Sequence, residues 1–438
     1  MKVRVGVIKD KLIGGLIIAV MASYVVLSAC PLCTAASMWD KTCGGAAADT
    51  AAGETVQAID GGYAILGDTS SFGAGGSDFW LIKTDADGNL QWNKTYGGAL
   101  TETSGDMCLT SDGGYAMSGL TQSFGAGGQD FWLVKADAAG NLLWNQTYGG
   151  TSNEYAYHVE QTLDGGYVLL GQTTSFGVGS TDFWLVKTDG SGNMQWNKTY
   201  GGTGSDIGIH VLQTGDGGYA LLGHTSSFGA GSNDAWLIKT DATGNMQWNK
   251  TYGGTGSEFG QCLGQSSDGG YIIGGITSSY GAGGMDFWLV KTESSGNMQW
   301  NKTYGGTGSD GATHFIQTAD GGYAIVGYTT NSSGQDAGLF KTDNSGNMLW
   351  NKTYGGTGTE ISYALLQTSD GGYLLTINTN SFGAGGNDIW LVKTDALGVF
   401  PEGLTFGVML TLSIFVVAIS VRYFHKRSKI ENFRQVRL

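Results

Sequence analysis

Seven times the chain repeats Asp-Gly-Gly-Tyr, beginning at Asp60, Asp112, Asp164, Asp216, Asp268, Asp320 and Asp370, at intervals of 52 residues five times and then 50. A second landmark keeps step with it: Trp-Asn-Lys-Thr-Tyr-Gly-Gly or a near copy places its tryptophan at Trp39, Trp92, Trp144, Trp196, Trp248, Trp300 and Trp350. A period of this size means one supersecondary unit used repeatedly, each copy unable to bury its apolar surface without neighbours. The repeat therefore overrides length, since 438 residues would otherwise suggest two or three domains.

Composition says what the unit is made of. Glycine supplies 77 residues and proline two, Pro31 and Pro401, both outside the repeats. Many short strands joined by tight turns need such a mixture, because proline cannot donate to a ladder and glycine supplies positive φ. Each copy divides into four strand-sized pieces, shown well by 155–200. Tyr155 to Thr162 leads to the Asp164-Gly165-Gly166 turn, and Tyr167 to Thr173 leads to a glycine-rich loop. Phe183 to Thr188 and Met194 to Tyr200 flank the Asp189–Asn193 turn. Four antiparallel strands per unit define a propeller blade. Tyr167, Phe183, Trp184, Trp196 and Tyr200 are the expected packing anchors, each contributing about 1.5–3 kcal/mol when buried.

An open array of such units would need dissimilar caps at its ends. Instead the first copy enters at its fourth strand, Met38 to Gly45, and the last stops after its third, Asp388 to Thr394. The orphan strand is the missing piece. The expected fold is all-β: a closed seven-bladed β-propeller of four-stranded blades over 37–398, its last blade completed by the N-terminal strand.

The hairpin between third and fourth strands resembles that of the quinoprotein-type propellers: Asp85-Ala86-Asp87-Gly88 precedes Trp92, and Asp189-Gly190-Ser191-Gly192 precedes Trp196. The turn is one residue shorter here, and no residues correspond to that family's cofactor pocket, so the resemblance implies fold alone. Asp87 to Trp92 also resembles the sugar-binding strand of bulb-type lectins, in one copy. The Asp85–Asn89 segment has calcium-loop character, but no bidentate glutamate follows and a turn is the expectation.

Both ends address a membrane. Lys2, Arg4, Lys9 and Lys11 precede an apolar run from Leu12 to Ala29 and small residues at Ala35 and Ala36, so 1–36 reads as a signal peptide or an N-terminal anchor. Leu27-Ser28-Ala29-Cys30 has lipobox form, and Cys30-Pro31-Leu32-Cys33 has redox or zinc spacing without a second pair. After a linker at 399–403, residues 404–421 form an apolar run that as a helix spans about 27 Å, near the bilayer core thickness. The tail 422–438 is basic from Arg422 onward, which orients it to the cytoplasm and the propeller outward. Phe400 to Gly407 resembles the C-terminal tails of archaeal cell-surface proteins, which implies a cell-surface location.

The net charge of −14 comes largely from the repeats, which show no basic patch, so nucleic acid is a poor partner and none is expected. With five cysteines, three of them in repeats, no disulfide scaffold is read. The repeated Asp78-type and Lys83-type residues, five apart, lie on opposite strand faces and are expected to pair with loops or neighbouring blades.

Function is expected where copies differ, on the innermost first strand. Six residues before each Asp-Gly-Gly stand Glu54, Asp106, His158, His210, Cys262, His314 and Ala364. Glu54, Asp106, His158, His210, Cys262 and His314 are the candidate ligand-binding residues of the channel, and His158, His210 and His314 are candidate metal ligands. The alternative is that they face channel water. No catalytic residue and no cofactor are assigned beyond a metal ion in the channel. Asn93, Asn145, Asn197, Asn249, Asn301 and Asn351, at one blade position, and Asn331 begin Asn-x-Ser/Thr sequons and are candidate glycan acceptors. The function read from these features is a membrane-anchored, extracellular, non-catalytic module for binding or adhesion, with an extracellular glycan or a surface protein as partner. The alternative is an exported hydrolase acting on carbohydrate through channel carboxylates such as Glu54, Asp106 or Glu160, which would need a pair ~5–9.5 Å apart.

Overall fold

The computed structural model describes residues 38–332 and 334–400. The described residues form 28 strands in seven four-stranded antiparallel sheets. Blades 1 to 6 are continuous in sequence: 49–96, 102–148, 154–200, 206–252, 258–304 and 311–354. In blade 3 the strands are Glu154–Gln161, Tyr167–Thr173, Asp182–Thr188 and Met194–Tyr200, close to the sequence-predicted pieces. Blade 7 takes three strands from 360–394 and its fourth from Trp39–Cys43, in antiparallel register from Trp39 opposite Lys393 to Cys43 opposite Ile389. Each inner strand packs on the next, and the first packs on the last, which closes the ring.

The core lies between blades because every third strand has two apolar faces. Phe183 and Leu185 pack with Tyr219 and Trp236 of blade 4, whereas Trp184 and Val186 pack with Phe131 and Leu133 of blade 2. Phe131 and Trp184 sit 4.6 Å apart by ring centroid, and Phe183 and Trp236 5.0 Å, within the range of favourable aromatic pairs. Between blades 7 and 1 the same packing recurs through Ile389, Leu391, Tyr63 and Trp80.

The repeated polar residues are architecture. Each third-strand lysine is buried and bonded within its own blade to the aspartate of the Asp-Gly-Gly turn, as in Lys187 Nζ to Asp164 Oδ2 at 2.9 Å. In the six blades other than blade 6 the Asp78-type residues instead accept backbone N–H groups of the preceding loop, Ala74 N donating to Asp78 Oδ2 at 2.8 Å. Tyr96 Oη donates across the blade boundary to the Gly140 carbonyl at 2.7 Å, and five more tyrosines repeat the bond.

Val399 and Phe400, expected in the linker, complete the last turn: Val399 N donates to Asp395 Oδ1 at 2.7 Å, and Phe400 packs on Trp390. The expected signal or anchor at 1–36, the helix at 404–421 and the basic tail lie outside the described residues. Among the described residues no helix is long and apolar enough to cross a membrane.

Candidate functional site in the axial channel

The inner strands share one irregularity. In blades 2 to 7 the register with the second strand skips one residue, as between Ala156 and His158, so that Gly105, Tyr157, Ile209, Gln261, Thr313 and Tyr363 are bulged. A bulge turns two successive side chains toward one side of the sheet. All six bulged residues line a cavity of about 280 Å³ on the axis, together with Glu54, Asp106, His158, His210 and His314. Blade 1 skips further, between Ala51 and Thr55. Its Gly53 has φ +64°, and a Cβ there would stand 2.5 Å from Asp106 Cα, so the longer bulge needs glycine to bring Glu54 against blade 2.

Sequence reading placed five of the six candidate channel residues in this cavity. Cys262 is elsewhere: it is 2% exposed, packs with Phe315 and Ile272 between blades 5 and 6, and borders a second cavity of about 170 Å³. Burial pushes its thiol pKa up, so it is a small apolar filler. Glu54, His210 and His314 border both cavities and mark the channel's waist. Glu160 is turned away, accepting the Gln213 N–H of the next blade at 2.7 Å.

The set of His and carboxylate residues read from sequence as candidate channel ligands divides into separate pairs. His158 Nε2 lies 3.3 Å from Asp106 Oδ2, and His314 Nε2 lies 3.4 Å from Glu54 Oε1. His210 stacks on His158 with ring centroids 3.8 Å apart. Among the described residues no three His, Cys, Asp or Glu side chains are placed to hold a metal ion as they stand. Asp106 is saturated: the Glu54 N–H donates to Oδ1 at 2.9 Å, and the Val159 N–H reaches Oδ2 at 3.4 Å beside His158.

Electrostatics separates the two carboxylates. Burial, then the Glu54 charge, raises the Asp106 pKa well above the usual range. Burial also pushes Glu54 up, but the His314 hydrogen bond and then the electrostatic pull of His314 outweigh it and leave Glu54 low. Burial lowers His158 to about 4, and burial with its histidine neighbours lowers His210 well below 6.5. At neutral pH both imidazoles are uncharged, Asp106 is held toward its protonated form, and Glu54 is ionised with 39% of its side chain exposed.

Sequence reasoning missed the aromatic wall. Tyr155 and Tyr157 pack at 4.2 Å by ring centroid, Tyr155 Oη donates to the Ser104 carbonyl at 2.9 Å, and Tyr363 stands on blade 7. Strict alternation would put neighbours on opposite faces, so only the bulge brings Tyr157 and His158 into the same cavity. The signal available was variability: these positions differ between copies that are otherwise nearly alike.

On the rim, the six same-position sequon asparagines lie on outer strands and are exposed. In blades 1 to 4 their Oδ1 accepts the Nε1–H of a buried tryptophan, as from Trp132 to Asn145 at 3.2 Å. Asn331 is exposed on a blade 6 loop, where its amide donates to Asp336 Oδ2.

The class these features define is a closed seven-bladed β-propeller with an aromatic-walled axial cavity into which a few His and carboxylate side chains project. No family model matches the chain. It is similar to the regulatory protein FlaEY of Caulobacter vibrioides, 23% identical over 231 residues, which amounts to 45% of this chain and 24% of that protein. The chain thus spans about a quarter of its curated relative. Solved structures with a similar course include BBS1N in complex with ARL6DN, 12% identical over 82% of this chain and 97% of that one, TM-score 0.48. Another is the polysaccharide lyase Uly1, 9% identical over 79% and 90%, TM-score 0.49. A third is the Neurospora crassa Pan2 WD40 domain, 10% identical over 82% and 90%, TM-score 0.47. At such scores these likenesses carry no argument about ligand or chemistry.

Proposed function

We propose that this chain is a surface-tethered, non-catalytic binding module whose ligand, a glycan or surface protein of the cell envelope, enters the axial cavity. The observation that carries the reading is the bulge: seven otherwise similar blades each turn a variable residue into one cavity. Spare hydrogen-bonding capacity supports it, since the Gln261 amide and the Tyr157 and Tyr363 hydroxyls have no partner among the described residues. The sequence of 1–36 and 404–421 supports export and a C-terminal anchor. Exposure of Asn93, Asn145, Asn197, Asn249, Asn301, Asn331 and Asn351 supports glycan attachment, which uses Nδ2 and in the first four leaves the tryptophan bond to Oδ1 intact.

The test is a glycan array and an envelope-protein pull-down with the detergent-solubilised full chain and its Tyr157→Ala and Gln261→Ala variants. Binding lost in both variants at unchanged thermal stability supports the axial site. Binding indifferent to both sinks it. A second reading, a hydrolase, has one observation in its favour: Glu54 and Asp106 are pushed apart in pKa, as an acid and a base would be. Against it, both Asp106 oxygens are already engaged. Release of reducing sugar that disappears in Glu54→Gln would establish that reading instead.

A further inference from the structure

The axial site has a charge pattern that selects among ligands. Asp106 is spent on backbone N–H groups and His158, and the His158 and His210 rings are stacked on each other. Glu54 is different: only Oε1 faces His314, and the second carboxylate oxygen has no partner among the described residues. The same cavity is lined by Tyr157, Ile209, Gln261 and Tyr363. Aromatic faces attract cations, and a carboxylate in an aromatic-walled cavity is their natural counter-ion. The chain's net charge of −14 draws cations and repels acidic sugars at long range.

Deepening the axial-binding reading and resting on it, we propose that the cavity takes an amino sugar, with the Glu54 carboxylate as counter-ion to its ammonium group and the rings of Tyr157 and Tyr363 as walls for the sugar ring. A volume of about 280 Å³ admits one monosaccharide-sized group, being just under the ~300 Å³ at which pockets for larger ligands begin. The free Gln261 amide and tyrosine hydroxyls meet ring hydroxyls, and the amine approaches the Glu54 oxygen that His314 does not use. A uronic acid would set its carboxylate against Glu54, and a neutral sugar would offer no cation to the Glu54 oxygen that His314 does not use.

The experiment is saturation-transfer NMR and calorimetry on the detergent-solubilised full chain with glucosamine, N-acetylglucosamine and glucose as probes. Glucosamine is expected to bind at least about tenfold more tightly than the other two, with a preference that weakens as salt rises. Glu54→Gln should abolish the preference at unchanged melting temperature, Glu54→Asp should keep part of it, and Tyr157→Leu should weaken all binding. Equal binding of glucose and glucosamine, or a preference that survives Glu54→Gln, overturns the proposal, as does no binding of any probe. If neutral sugars bind and only Tyr157→Leu reduces them, the axial reading stands and this inference alone falls.

Discussion

Asp40 Oδ2 accepts a hydrogen bond from Trp390 Nε1 at 3.1 Å across 350 residues of sequence. It is the closing blade's version of the bond from Trp132 to Asn145, with aspartate in place of asparagine. Asp40→Ala is therefore expected to lower stability by about 1–2 kcal/mol, and Asp40→Asn to be nearly neutral, both read from urea midpoints. Deleting 38–45 uncovers the edge of the Asp388–Thr394 strand, and the shortened chain should oligomerise in light scattering. A stable, monomeric truncation would mean the ring does not depend on its clasp.

Cys43 stands where six other blades carry the tyrosine that bonds to the next blade's turn glycine, and the corresponding glycine here is Gly88. Restoring that donor with Cys43→Tyr should stabilise the chain by about 0.5–1.5 kcal/mol. Thermal melting checks it; a lower midpoint would show that the closing blade lacks room for the ring.

Lys187 has 4% of its side chain exposed and Asp164 57%, so removing the aspartate leaves a buried ammonium with only neutral partners, the Thr188 carbonyl and Gln195 Oε1. Asp164→Ala should cost about 2 kcal/mol, more than a surface pair and less than a fully buried one. Burial raises the Asp164 pKa, but bonds from Thr162, Lys187 and Gly166 outweigh it and bring it to about 2. A depressed carboxylate stabilises above its unfolded pKa, so this contribution is complete above pH 4 and fades as pH falls through 2. Asp112, Asp216 and Asp320 share the shift, and acid unfolding should set in over that window.

Two further groups of opposite sign act at milder pH. Burial raises Asp68 from 3.8 to about 7 despite hydrogen bonds from Ser104, a cost that grows as pH rises from 4 through 7. Burial lowers His224 from 6.5 to about 4, a cost that grows as pH falls over that interval. Asp68→Asn should thus gain stability at pH 7.5 and little at pH 4, while His224→Phe should resist loss of stability near pH 5. Denaturant midpoints across pH 4 to 8 decide both; a gain for Asp68→Asn at acid pH alone would contradict the assignment.

Much of this molecule was readable without coordinates. The period fixed blade number, the glycine turns fixed strand breaks, and the split of one unit between Met38–Gly45 and Asp388–Thr394 implied closure, because local spacing and alternation are properties of the chain itself. The site was read in part. Position in the repeat marked Glu54, Asp106, His158, His210 and His314, but also Cys262, which the structure packs beside Phe315.

What only the tertiary structure decided is which side chains share the axis and how they divide their hydrogen bonds. A bulge changes facing by one residue, and it arises where seven inner strands crowd together, so no local pattern announces that Tyr157 joins His158. Likewise, the saturation of Asp106 and the availability of Glu54 depend on one backbone meeting a neighbour 52 residues away, a relationship that exists only once the ring has formed.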